Sequence, residues 1–149
     1  YEQIRPMALA RQIQRRQDYR MPARYTYGTR EPSYPVYRGC TQQHQYDFWK
    51  EYNHIPVRET PEDGREEPSG VGVRGDEVEV LHSPADCAEH WYSIHRFYSS
   101  DEEAQNLYNY VIVHEKGHDI AQMDPVLGWE YVKQFRRNPD GSLEIVQNN

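Results

Sequence analysis

Apolar residues are sparse along this chain, and their spacing assigns its elements. After Thr41, the stretch QQHQYDFWKEY places Tyr46, Trp49 and Tyr52 on one face of a helix that Thr41 can cap. Residues 77–82 (EVEVLH) alternate polar and apolar positions and predict a short strand. Ser83-Pro84-Ala85-Asp86 then supplies an N-cap, a proline at the first helical position and an acid in the first turn. The spacing predicts a helix from there to about Tyr98, with Ala88, Trp91, Ile94, His95 and Tyr98 along one side. Ser100 followed by Asp101, Glu102 and Glu103 predicts a second helix, running to about Gln122. A third is expected from Asp124–Pro125 to Arg136–Arg137. Asn138-Pro139-Asp140-Gly141 is a turn, and Leu143, Ile145 and Val146 form a short terminal strand or tail.

The front of the chain reads differently. Residues 3–19 predict a helix with basic faces and a narrow apolar stripe of Ile4, Met7, Leu9, Ala10 and Ile13. In residues 21–39, Pro22, Pro32 and Pro35 with Gly28 and Gly39 forbid a continuous helix. Tyr25, Tyr27, Tyr34 and Tyr37 supply large amphipathic anchors there, so an extended arm laid on a partner is expected. Residues 55–76 concentrate Pro, Gly and acid and form a boundary loop. The expected fold is mainly α: a small helical cluster over about 77–137, an extended Tyr/Pro/Arg-rich N-terminal arm, and little or no β-sheet. Four segments follow: 1–54 (basic helix, arm and aromatic helix), the 55–76 loop, the 77–137 cluster, and a turn and tail at 138–149.

Composition sharpens this. Of 149 residues, 36% are hydrophobic and mean hydropathy is −1.07, yet 13% are aromatic and 13 are tyrosines. The hydrophobic share is below the roughly 45–50% of an average globular chain, although that figure also counts Gly. The aromatic share excludes simple disorder. The longest purely aliphatic run is Val111–Ile112–Val113, far from the roughly 20 apolar residues that span a membrane. No secretory leader is evident near Tyr1, and a first residue other than Met fits removal of a presequence. Residues 1–60 carry 10 basic against 6 acidic side chains, while 61–149 carry 7 against 18, giving the net −7. A net-acidic chain is a poor general nucleic-acid binder, because phosphate neutralisation dominates that affinity. Only Lys50, Lys116 and Lys133 are lysines among 17 basic residues, and arginine is the cation that interfaces favour.

One motif suggests chemistry. His114-Glu115-Lys116-Gly117-His118 resembles the HExxH pattern of zinc metallopeptidases. Histidines at i and i+4 of a helix converge on one ion, and the Glu serves as general base. That resemblance implies zinc held by His114 and His118 with Glu115 catalytic. It departs from the family at Lys116, where a bulky apolar residue belongs, and at Asp119. The metzincin pattern would also need Gly and His where Ala121 and Asp124 stand. Cys40-x3-His44 and Cys87-x2-His90 together offer a second zinc ligand set. The alternatives for Cys40 and Cys87 are free thiols or one disulfide. A Cys opening each of two aromatic-rich helices resembles the twin-cysteine hairpins of mitochondrial intermembrane-space proteins. Lys50 and Tyr98 stand where the second cysteines belong, so no family is assigned. His90 and His95, five apart, are poorly spaced to share an ion on a helix, and residues 70–75 (GVGVRG) read as a loop rather than a phosphate cradle.

The expected function is therefore a non-catalytic accessory subunit stabilising a large multi-protein assembly. The assembly expected is a mitochondrial respiratory-chain complex or ATP synthase, with the chain placed peripherally at the inner membrane. Its partners would be other protein subunits, without nucleic acid, a transmembrane segment or a cofactor. Tyr25, Tyr27, Tyr34, Tyr37, Arg15, Arg16 and Arg30 are the expected partner-binding residues. The alternative is a zinc-dependent metallohydrolase built on His114, Glu115 and His118.

Overall fold

Residues 91–98 and 106–114, both expected as helix, are the two central strands of a sheet. The computed structural model describes residues 20–31, 42–56, 75–82, 90–121 and 123–146, with side chains of the first helix described from Tyr46 on. In chain order the elements are β1 (Ala23–Gly28), α1 (Gln42–Tyr52), β2 (Glu77–His82), β3 (Trp91–Tyr98), β4 (Asn106–His114), α2 (Met123–Val132), β5 (Phe135–Arg137) and β6 (Leu143–Ile145). Four strands form a mixed sheet in the order β1-β4-β3-β2, with β1 parallel to β4 and the other pairs antiparallel. β5 and β6 make a separate antiparallel ribbon around the Asn138–Gly141 turn, where Gly141 adopts φ 91°. The mainly α expectation with little or no β-sheet is thus overturned. The protein is mainly β among the described residues.

The reason lies in side-chain type. Leu107–Val113 is aromatic and β-branched at five of seven positions, and every one of these residues is buried. Such a run suits a central strand covered on both faces. In β3, register sets Trp91, Ser93, His95 and Phe97 on one face and Tyr92, Ile94, Arg96 and Tyr98 on the other. Ser100–Glu103, whose capping pattern predicted a helix start, instead makes the connection between β3 and β4. Ser99 closes it by donating its N–H to the Gln105 carbonyl at 2.9 Å. The helix after Asp124 exists but ends at Val132, and Phe135–Arg137 turns into β5.

Each face of the sheet carries one helix. On the α1 face, Tyr27, Tyr46, Ile55, Phe97, Tyr108, Tyr110 and Ile112 form a cluster, with Tyr25 and Trp49 packed against it. On the α2 face, Tyr92, Ile94, Val111, Val113 and Ala121 meet Leu81, Met123 and Leu127. α1 ends in a Schellman arrangement: Ile55 N–H reaches the Lys50 carbonyl at 2.9 Å and His54 N–H reaches Glu51 at 3.3 Å. His54 takes the left-handed conformation (φ 51°) that glycine usually fills. Asn53, buried just before it, uses its amide as a surrogate strand. It accepts from Met21 N–H at 2.9 Å and donates to the carbonyls of Met21 (2.8 Å) and Leu107 (3.3 Å). One side chain thereby ties the end of α1 to the lead-in of β1 and the start of β4.

The extended conformation expected around residues 21–39 is seen at 23–28, but its partner there is the chain's own sheet. β1 pairs with β4 along its whole length, Ala23 to Tyr108 through Gly28 to Val113. The 77–137 cluster is accordingly completed by a strand from the front of the chain. The predicted 3–19 helix, residues 57–74 of the predicted 55–76 loop and the Ser83–Asp86 cap lie outside the described residues.

Candidate functional site

The HEKGH segment does not lie on a helix. His114 is the last residue of β4, Glu115 turns the chain with φ 64°, and residues 116–121 run on without helix. The i, i+4 convergence that a zinc site needs is therefore absent. The three side chains go to three different places. His114 is buried, stacks on Trp91 with ring centroids 3.6 Å apart, and its Nε2 lies 2.8 Å from Ser93 Oγ. Burial pushes its pKa down to about 4, with Glu115 opposing that shift and His95 adding to it. Glu115 pairs with Arg30, and its backbone N–H donates to Thr29 Oγ1 at 2.9 Å. His118 is 87% exposed at the side chain, with Nδ1 2.9 Å from Glu31 Oε2. Lys116, which made the motif atypical, is buried, its Nζ 3.3 Å from the Gly117 carbonyl and 3.9 and 4.0 Å from Asp124 and Asp119. Among the described residues no group of three His, Cys, Asp or Glu gathers as a metal site would.

Two pairs of this segment pack the end of β1 instead. Arg30 N–H donates to the Lys116 carbonyl at 2.8 Å, and a Cβ on Gly28 would fall inside contact distance of the Lys116 and Gly117 carbonyl oxygens. The Ser93–His114 pair has the composition of a nucleophile and its base. Ser93 is fully buried, however, so no substrate carbonyl can reach it. The bond satisfies two polar groups inside the core.

Of the expected partner-binding residues, Tyr27 is buried in the chain's own core and Tyr25 stacks on Tyr27 (6.1 Å) and Tyr110 (5.6 Å). Burial, with Tyr27 and Glu31 adding to it, pushes the Tyr25 phenol up to about 12. Arg30 is exposed and held by Glu115. Tyr34, Tyr37, Arg15, Arg16, Cys40 and Cys87 lie outside the described residues, as does the His44 side chain. His90 is described but its proposed co-ligands are not.

A run of exposed apolar side chains lies on α2, where the sequence pattern raised no candidate. Its inner side, Met123, Leu127 and Tyr131, covers the sheet. Its outer side carries Val126, Trp129 and Val132 at helical spacing, and all three are exposed, Trp129 to 64%. Ile120 just before the helix is 80% exposed. A helix that is apolar all round is ordinarily covered on both sides, and this one is covered on one. The signal was present in the sequence as MDPVLGWEYV, whose only charges are Asp124 and Glu130.

Beneath α2 lies a cleft of about 410 Å³, walled by α2, the β5–β6 ribbon and the sheet. Register lays a polar row across its floor: Arg24 of β1 beside Asn109 of β4, and Asn109 beside Arg96 of β3. Arg96 is paired with Glu79 and lies 3.9 Å from Glu77. Comparison of the chain with family models, curated proteins and solved structures finds no match.

Proposed function

We propose that this chain is a non-catalytic interaction subunit that docks to another protein of a larger assembly through the outer side of α2. The observation that carries it is the exposed Val126–Trp129–Val132 stripe on a helix whose inner side already packs on the sheet. Tryptophan is the residue most enriched among interface anchors, and a cluster of it with aliphatics supplies the fully desolvated centre of such contacts. The arginine bias and the acidic balance of the chain favour protein over nucleic acid as the other side. The assembly we propose is a mitochondrial inner-membrane complex with the chain peripheral to it, and co-fractionation with that membrane tests the location.

Trp129→Glu is the direct test. Its side chain is largely in solvent, so the variant should fold with an unchanged circular dichroism spectrum and a melting temperature within a few degrees. It should no longer co-purify with the assembly that the tagged wild-type chain brings down. Retention of all partners by the variant would sink the reading. So would a wild-type chain that sediments as a homodimer and becomes monomeric in Trp129→Glu, because the stripe would then be a self-contact.

A further inference from the structure

The connection between β3 and β4 holds an exposed hydroxyl followed by three acids. Ser100 is exposed, and so are Asp101, Glu102 and Glu103 after it. The base of the connection is closed by Ser99, whose N–H donates to the Gln105 carbonyl at 2.9 Å and whose Oγ accepts from Gln105 N–H at 3.2 Å. Ser99 is 1% exposed, while residues 100–104 form a tip in solvent. Ser100 lies against the end of α1, donating its N–H at 3.1 Å and its Oγ–H at 3.0 Å to the His54 carbonyl. The Arg20 guanidinium comes to the same place, where its Nη2 meets His54 Nδ1 and lies 3.5 Å from Asp101 Oδ1. Arg137 holds the Arg20 carbonyl, so that residue is anchored at its backbone.

These features select the chemistry. Kinases choose substrates partly by charge, and three acids after the acceptor fit a cationic substrate groove. The nearest cation before it in the chain, Arg96, is already engaged with Glu79 on the sheet. Ser93 is buried against His114, and Ser99 is buried although acids follow it too. Ser142 donates its Oγ–H to Asp140 at 2.7 Å and has only Glu144 among the three residues after it. We propose that Ser100 is a phosphorylation site for an acid-directed serine/threonine kinase, with Arg20 as the counter-charge that receives the phosphate. Ser100 Oγ attacks the γ-phosphorus of ATP, the bond to the β,γ-bridging oxygen breaks, ADP leaves, and the hydroxyl proton passes to the kinase's base. The product adds about −1.5 to −2 of charge. It has no proton for the His54 carbonyl, so the Oγ bond to α1 is lost. The Arg20 guanidinium turns from Asp101 to the phosphate, which arginine holds in a bidentate manner. Phosphorylation thus exchanges a tie between this connection and α1 for one to the residue that leads into β1.

The test incubates the full chain with ATP and either an acid-directed or a base-directed serine/threonine kinase, read by intact and fragment mass. The acid-directed enzyme should add one phosphoryl group at Ser100, and the base-directed enzyme none there. Ser100→Ala should remove the label, and Ser100→Thr, which keeps a hydroxyl, should retain it. Asp101→Asn combined with Glu103→Gln, both at exposed positions, should slow labelling by about tenfold or more. The proposal is overturned if Ser100 stays unlabelled, if the label survives Ser100→Ala, or if the amide variant is labelled at the wild-type rate. Should Ser100→Ala not fold, fragment mass of the wild-type chain decides: phosphate on Ser100 supports the site and phosphate elsewhere overturns it. In NMR the Arg20 Nε–H signal should shift on phosphorylation and return on phosphatase treatment; a static signal overturns the assigned counter-charge.

Discussion

The two faces of the sheet solve the same burial problem with different materials. The α1 face is built of rings: Tyr46 meets Phe97 edge-on at 5.2 Å, Phe97 lies 5.8 Å from Tyr108, and Tyr25 stacks on Tyr110 at 5.6 Å. The α2 face sets Tyr92 among the aliphatic Ile94, Val111, Val113 and Leu127 and is crossed by the Arg24–Asn109–Arg96 row. The second face has a cleft and a helix whose outer side is exposed. A chain poor in aliphatic residues thus places tyrosine where others place leucine. Tyrosine in a core brings a hydroxyl with it. Burial raises the pKa of Tyr108 well above 10, and its hydroxyl has no hydrogen-bond partner.

The comparison breaks first at Tyr108, fully buried on the ring face. Tyr108→Ala should cost about 3–5 kcal/mol in urea unfolding, whereas Leu127→Ala, half-buried on the other face, should cost about 1–2 kcal/mol. Equal losses would mean that the two faces contribute alike.

Asn53→Ala comes next. It leaves the Met21 N–H and two carbonyls without their partner at a buried site, so about 2–3 kcal/mol should be lost. Hydrogen exchange at the β1–β4 pairing should rise with it. A neutral result would mean that the clamp does not couple α1 to the sheet.

The pH dependence is the third. His114 is held neutral by burial, with a folded pKa of about 4 against an ordinary 6.5. Its contribution is therefore fully present above pH 6.5. It is lost as pH falls from there to about 4, because the unfolded chain takes up the proton first. The loss should be of order 3 kcal/mol. His114→Gln, which cannot titrate, should flatten this part of the profile; an unchanged slope would assign it to other groups.

The smallest effects concern single atoms. Tyr108→Phe removes the unpartnered hydroxyl and should be neutral or raise stability by up to about 1 kcal/mol. Gly128→Ala on α2, where a Cβ would meet nothing within 4 Å, should add about 0.5–1 kcal/mol by helix propensity. A loss at Gly128 would show that α2 is packed more closely on its outer side than its exposed stripe implies.

The legible parts of the fold were those with local causes. α1 was readable from its aromatic spacing, β2 from strict alternation, the start of α2 from Asp124–Pro125, and the 138–141 turn from Asn-Pro-Asp-Gly. β3 and β4 were not, because in both runs apolar residues fall at helical as well as alternating positions. Trp91, Ile94 and Tyr98 mimic a helix stripe, and only their opposite-facing neighbours, also apolar, show that both sides are buried. HEKGH was misleading for a related reason. Its chemistry depends on helical spacing, and His114 sits at the end of a strand. The α2 stripe could have been found by noticing that the helix lacks a polar face. The cleft could not, since Arg24, Asn109 and Arg96 come from three strands.

By itself the sequence determined the materials of this protein: tyrosine and arginine in place of leucine and lysine, an acidic second half, and turns where Pro, Asn and Gly fix the backbone. These follow from each residue's own stereochemistry and charge. Only the tertiary structure decided that residues 91–98 and 106–114 are strands, since each becomes favourable as a strand when the other lies beside it to complete its hydrogen bonds. The same pairing, extended to β1, brings Arg24 against Asn109 and so creates the cleft. Contacts between residues that distant are set by the register of the sheet, which no local pattern carries.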